Sequence, residues 1–171
     1  MDDMSHSGQR ADAAHEHRHK EMGEGAYRRL VLMAILSFLA MFLLMYAMVD
    51  RPANVLLNLN QAYMAALMAA PMVLIELALM GHMYRNRNWN FVTIAASLVI
   101  LCLSFLAIRQ QAGVGDVQFV RSMIPHHAGA VLMCEKAPVR DAEIRGLCQN
   151  IIASQRAEIA QMRKILRRLE G

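Results

Sequence analysis

Aromatic residues are scarce in this sequence, which has five Phe, four Tyr and one Trp. Cysteine is scarcer still: Cys102, Cys134 and Cys148 are too few for a disulfide scaffold and form no CxxC redox motif. There is no phosphate-binding loop, no dinucleotide fingerprint and no recognisable nucleophile–base set, so no catalytic residue is assigned and an enzyme is not expected. No basic block is interleaved with aromatics, and the net charge is a modest +4, so nucleic acid is not an expected partner. What the sequence has in excess is apolar surface. At 56% apolar residues it exceeds the roughly 45–50% of soluble domains, which excludes disorder and argues against a purely soluble globule. Its 171 residues allow one or two small domains. Methionine is also abundant, at 15; it is a flexible apolar filler and a soft ligand for cuprous copper.

Residues 1–29 are polar and lack apolar periodicity, and are read as a mobile tail. They contain His6, His15, His17 and His19, either a weak flexible chelator or simply a solvated segment. Because the first apolar run begins only at Leu30, no secretory signal peptide is expected. Leu30–Val49 is twenty residues without a charge, enough at 1.5 Å per residue to cross about 30 Å of hydrocarbon. Tyr63–Tyr84 forms a second span containing Pro71, Glu76, Gly81 and His82, and Phe91–Ile108 a third with no charge. The lipid bilayer is thus the first expected partner, within a membrane domain of residues 30–108.

Arg18, Lys20, Arg28 and Arg29 precede the first span, whereas only Arg51 follows it closely. That bias predicts a cytoplasmic N-terminus. Three spans then place residues 109–171 on the periplasmic or extracellular side of a bacterial inner membrane.

Residues 109–171 return to a soluble composition and predict a helical hairpin. Asp116 is the expected N-cap of a helix reaching about Glu135, with Pro125 kinking or restarting it. Pro138 interrupts, and Asp141 caps a second helix running to Leu169. In that helix Ile144, Leu147, Ile151, Ile152, Ile159, Met162, Ile165 and Leu166 recur at helical spacing. Two helices cannot enclose a core alone, so the hairpin is expected to lie on the spans or to pair with another copy. The fold class is therefore all-α: three transmembrane helices followed by a hairpin that completes a four-helix bundle by self-association.

Polar residues on the apolar stripe mark a candidate site. Met123, His127, Ala130 and Cys134 share a face of the first helix, with His126 and Met133 beside them, and Glu135 and Glu158 are candidates to support the ligands. Gln155 and Glu158 interrupt the stripe of the second. With an extended linker, Cys134 and Cys148 fall at one level, His127 near Gln155 and Met123 near Glu158. Imidazole, thioether, thiolate and carboxylate in one layer suit a transition metal. Buried histidines are also ordinary core residues, and the two cysteines are open to a disulfide, to metal ligation or to remaining free thiols.

The run Phe119-Val120-Arg121-Ser122-Met123-Ile124-Pro125-His126-His127-Ala128-Gly129-Ala130 resembles the signature of the domain of unknown function 305 family. Ile151-Ile152-Ala153-Ser154-Gln155, followed by Glu158-Ile159 and Met162, resembles that family's second helix. The resemblance covers about residues 116–169. It implies an exported, ferritin-like helical bundle, in some members associated with copper through Met and His. Carried onto this chain, the implied ligands are Met123, His126, His127, Met133 and Met162. Family members often hold two helix pairs where this chain has one, which favours self-association.

In the second span Met64, Met68, Met72, Glu76 and Met80 recur every four residues. They are either a packing stripe or a cuprous relay. Glu76 needs a proton, a metal or a polar partner such as Gln61 or Asn60, since a bare carboxylate in hydrocarbon costs a few kcal/mol. His82 is either a ligand or an interfacial hydrogen-bonder. The expected function is a membrane-anchored protein that binds copper, as cuprous ion, for tolerance or delivery, in contact with copper-handling proteins. The alternatives are a non-metal scaffold that oligomerises through the hairpin, and a copper-conducting three-span channel. Against the channel stands the absence of Gly from residues 91–108. A ferritin-like oxidase is disfavoured because residues 109–171 contain no Glu-x-x-His.

Overall fold

A computed structural model describes residues 25–84 and 86–171. The histidines at positions 6, 15, 17 and 19, and Arg85, lie outside the described residues. The described residues are helices and connecting turns, without strands. Three helices are long and apolar enough to cross a membrane: α1 (Gly25–Met48), α2 (Leu59–Leu79) and α3 (Arg87–Gln110). The last four residues of α1, Met45–Met48, tighten into a 3-10 turn. The hairpin follows as α4 (Asp116–Lys136) and α5 (Ala142–Glu170).

Each apolar run is longer or shorter than its hydropathy alone suggested, because caps rather than composition set the ends. Asn58 accepts from the Gln61 N–H at 2.9 Å, starting α2 four residues before Tyr63. Gly81 follows the end of α2, and residues Gly81–Met83 form a separate 3-10 turn, so Tyr84 lies beyond the helix. Asn86 accepts from the Asn88 and Trp89 N–H groups and starts α3 before Phe91. Gln111 then ends α3 in the left-handed region at φ 52°, with Gly113 at φ 70° completing the reversal.

The first pair of helices packs through Ala26 and Leu30 of α1 against Val73 and Leu77 of α2, with Tyr84 closing the cluster. α2 also packs along α3, and the buried positions there are small: Ala65, Ala69 and Ala70 on α2, Ser97 and Ser104 on α3. Small side chains let membrane helices approach closely without glycine. The outward faces carry exposed Leu32, Leu36, Leu39 and Leu43 on α1, and Phe91, Val99, Leu103 and Phe105 on α3. A surface of this kind fits hydrocarbon and not water.

The hairpin is antiparallel. Asp141 caps α5 as expected, accepting from the Ile144 N–H at 2.9 Å. At α4 the cap is Gly115, so Asp116 sits inside the first turn, where its charge favours the helix N-terminus. Pro125 is buried and α4 runs through it unbroken, so it neither ends nor restarts the helix. Val120, Ile124 and Ala128 of α4 meet Ile159 and Leu166 of α5, and Val49 and Leu56 from the loop between α1 and α2 complete this core.

The hairpin therefore lies over that loop. Gln118 Oε1 accepts from the Leu59 N–H at 3.1 Å, while a Cβ at Gly129 would stand 3.4 Å from the Met48 carbonyl. α4 thus crosses the bundle end from the start of α2 to the end of α1. Arg163 of α5 donates to the Ala53 carbonyl at 2.6 Å and to Asn54 Oδ1 at 2.7 Å.

Candidate functional site

The seam between α4 and α5 holds the polar residues singled out above. His127 Nδ1 stands 2.9 Å from Glu158 Oε2, and the Ser154 hydroxyl donates to Glu158 Oε1 at 2.9 Å. The His127 side chain is 14% exposed and that of Glu158 45%. The two meet by distance but not along the ring N–H direction, so Nδ1 has no aligned hydrogen-bond partner among the described residues. Burial lowers the His127 pKa below the ordinary imidazole value; Glu158 opposes that shift and nearby His126 adds to it. A neutral imidazole is the ligating form.

Antiparallel register was legible, but displaced. Glu158 pairs with His127, about one helical turn from the expected pairing of His127 with Gln155 and Met123 with Glu158. Gln155 and Met123 are half-buried beside the pair on their own helices. Glu135, instead of joining the histidines, forms an ion pair with Arg156.

Of the five residues implied as ligands, Met123, His127 and Met162 are half-buried, whereas His126 and Met133 are exposed. His126 is exposed, its ring centroid 6.0 Å from that of His127 and its plane tilted by 58°. Adjacent helical residues diverge by about 100°, and the unbroken helix through Pro125 leaves that divergence intact. Met133 is 53% exposed, and Met162 packs against the Ile124–Ile159 core. Among the described residues no three of His, Cys, Asp and Glu form a group able to hold a metal. Cys134 on α4 and Cys148 on α5 are both half-buried free thiols.

The methionine stripe of α2 winds around its helix. A repeat of four advances about 40° per step against 3.6 residues per turn, so Met64 and Met80 are about 160° apart. Met64 and Met68 accordingly face outward, Met72 is half-buried, and Met80 packs against the Ala26–Leu77 cluster. Glu76 finds its partner in neither Gln61 nor Asn60, but in the Tyr84 hydroxyl, which donates to Oε1 at 3.4 Å. His82 is exposed in the turn after α2. Sequence reasoning missed Tyr84, Arg156 and Arg163. The partners of Arg156 and Arg163 are far along the chain, and Tyr84 reaches Glu76 only through the turn that ends α2.

A bundle of three apolar helices capped on one loop by an amphipathic hairpin defines the class of protein. Residues 116–171 match the family model described as Domain of unknown function (DUF305). The chain is also 36% identical over 141 residues to "Uncharacterized protein L153" of Acanthamoeba polyphaga mimivirus, covering 80% of this chain and 90% of that protein. That stretch is longer than the hairpin, so the similarity takes in helices before residue 116. No solved structure matches. The chain belongs to the family of this viral protein and carries the DUF305 domain at its C-terminal end.

Proposed function

We propose that this is a membrane-anchored copper-binding protein, serving metal tolerance or delivery by binding and not by catalysis, with the hairpin as its binding domain. The observation that carries the reading is His127. A largely buried imidazole is kept neutral and has an Nδ1 without an aligned partner, beside the carboxylate of Glu158. Met123, one turn earlier on α4, adds a thioether suited to cuprous ion. These are too few donors for a closed site, so a second copy of the hairpin supplies the rest. Exposed Met133, Ile144 and Leu147 near the hairpin turn support such self-association.

The reading includes an orientation. Arg28, Arg29 and Arg87 gather at one end of the bundle with Tyr27, Tyr84 and Trp89. Tyr27 donates there to Asn90 Oδ1 at 2.6 Å. The Tyr and Trp cluster marks a membrane interface, and the positive charge beside it favours the cytoplasmic side, leaving the hairpin on the periplasmic or extracellular side. A reporter fused after Gly171 tests this, and activity confined to the cell interior would overturn it.

For the metal, the full chain in detergent is titrated with cuprous ion against a competing chelator. The expected result is loss of the tightest site in His126→Ala/His127→Ala. Unchanged binding in that variant sinks the metal reading. The second reading, a scaffold that assembles through the hairpin without metal, is favoured by the exposure of His126 and Met133, two of the five implied ligands. It is the outcome if self-association persists while copper binding does not depend on the histidines.

A further inference from the structure

We infer that the turn end of the hairpin rests on the bilayer beside the spans, where Met133 and Lys136 of α4 and Arg145 of α5 engage the headgroups of anionic phospholipid. Three contacts fix which face of α4 is turned toward the spans. Gln118 Oε1 accepts from the Leu59 N–H at 3.1 Å, Ser122 Oγ accepts from Asn60 Nδ2 at 3.3 Å, and a Cβ at Gly129 would stand 3.4 Å from the Met48 carbonyl. Leu59 opens α2 and Met48 closes α1, so α4 lies across one end of the bundle, along the surface where the spans leave a membrane. An α-helix returns to the same face, within about 20°, after seven, eleven or eighteen residues. Gln118, Ser122 and Gly129 therefore form one stripe, and Lys136 continues it past Gly129. Met133 stands about 40° from Gly129 on the same side and is 53% exposed.

α5 presents a matching stripe. Arg163 donates to the Ala53 carbonyl and to Asn54 Oδ1, which marks the side of α5 turned toward the spans. Arg145, eighteen residues earlier, falls on that same side, about 27 Å away along the axis. Packed helices are spaced by roughly 8–10 Å, so Arg145 stands beyond the outline of three spans. Among the described residues no hydrogen bond ties residues 130–158 to the spans or to the loop between α1 and α2. The turn end thus overhangs the bundle, and in a membrane what lies beneath it is lipid.

The chemistry of the overhang fits a phospholipid surface. Lys136, Arg140 and Arg145 are exposed, and among the described residues none of them is in an ion pair. Of the nearby carboxylates, Glu135 is held by Arg156 and Asp141 caps α5. Glu143, twenty residues before Arg163, lies on the opposite side of the helix. Long basic side chains reach phosphate oxygens while their stems and a neighbouring Met cover the acyl boundary, and anionic lipid attracts such clusters. Ile144 and Leu147 stand about 100° and 160° away from Arg163, so contact with the bilayer leaves them open to a second copy. The inference rests on the membrane-anchored reading, but neither on copper nor on which leaflet the hairpin meets.

The full chain is reconstituted, one copy per disc, into nanodiscs of phosphatidylcholine alone or of phosphatidylcholine with phosphatidylglycerol, and hydrogen exchange is followed by mass spectrometry. The expected result is slower exchange in residues 130–150 in the anionic discs, with α2 and α3 equal in both. That protection should be lost in Lys136→Gln/Arg145→Gln and at high salt, which screens exposed charges, and kept in Glu143→Gln. Equal exchange of residues 130–150 in the two lipids overturns the inference while leaving the membrane reading intact. So does protection that survives both the double variant and high salt, or that arises only in discs holding two chains, where a second copy is the occupant. A chain that elutes apart from the discs overturns the membrane reading, and this inference with it.

Discussion

His127 and Glu158 face each other across the hairpin seam at 2.9 Å, one from each helix, with the carboxylate steadied by Ser154. The imidazole sits where protonation is disfavoured despite that carboxylate, because burial outweighs the attraction. Two residues thus fix the helix register and present a neutral nitrogen in the same place.

A consequence concerns pH. The folded pKa of His127 is below its unfolded value, which is about 6.5, so the folded chain binds fewer protons than the unfolded one. Stability is held above that pH and is lost as pH falls through the folded pKa. Hydrogen exchange in α4 is expected to quicken between neutral and mildly acidic buffer, and His127→Gln should flatten that response. An equal response in both proteins contradicts the assignment.

Arg163 is the latch between hairpin and loop. Arg163→Ala removes its bonds to the Ala53 carbonyl and to buried Asn54. The expected cost is about 1.5–3 kcal/mol, typical for bonds from a charged donor. It is read as faster proteolysis or exchange in residues 49–58, with α2 and α3 unaffected.

The core and the rim of the hairpin should respond differently to truncation. Ile124 is fully buried and Met133 is 53% exposed. Ile124→Ala is expected to cost about 2–5 kcal/mol through the cavity it leaves. Met133→Ala should stay within about 0.5 kcal/mol. Thermal unfolding of the two variants separates them.

Met162 is a packing residue on the geometry, since it lies against Ile124, Ile159 and Leu166. Met162→Leu, close in volume, should cost less than about 1.5 kcal/mol and leave cuprous stoichiometry unchanged. A variant that folds normally but loses a copper equivalent would restore Met162 to the ligand set.

Much of the architecture was legible because the signals are local. The uncharged runs after Leu30 and Phe91 announce their helices by length alone, and Asp141 caps α5 as its position requires. The ends of α2 were less legible: the Asn58 side chain caps its start, and the chain tightens into a 3-10 turn at Gly81–Met83 after its end, so neither boundary follows the limits of the apolar run. The site was harder to read. Helical spacing put His127 and Cys134 on one face, but which residue of α5 His127 meets is set by the packing of the two helices, and Glu158 takes the place expected for Gln155. Spacing also suggested a straight methionine stripe, whereas a repeat of four winds about the axis and parts Met64 from Met80. Tyr84 as the partner of Glu76 follows only from the turn that ends α2.

The loop at residues 49–58 gives the hairpin both core side chains and polar anchors, although it lies more than fifty residues upstream of α4. In folding terms the hairpin is one part of a discontinuous unit whose other part is drawn from between two apolar helices. A fragment beginning at residue 112 would carry the DUF305 match whole and yet lack the floor on which that match is built. Transplanting the hairpin to another anchor requires moving the loop with it.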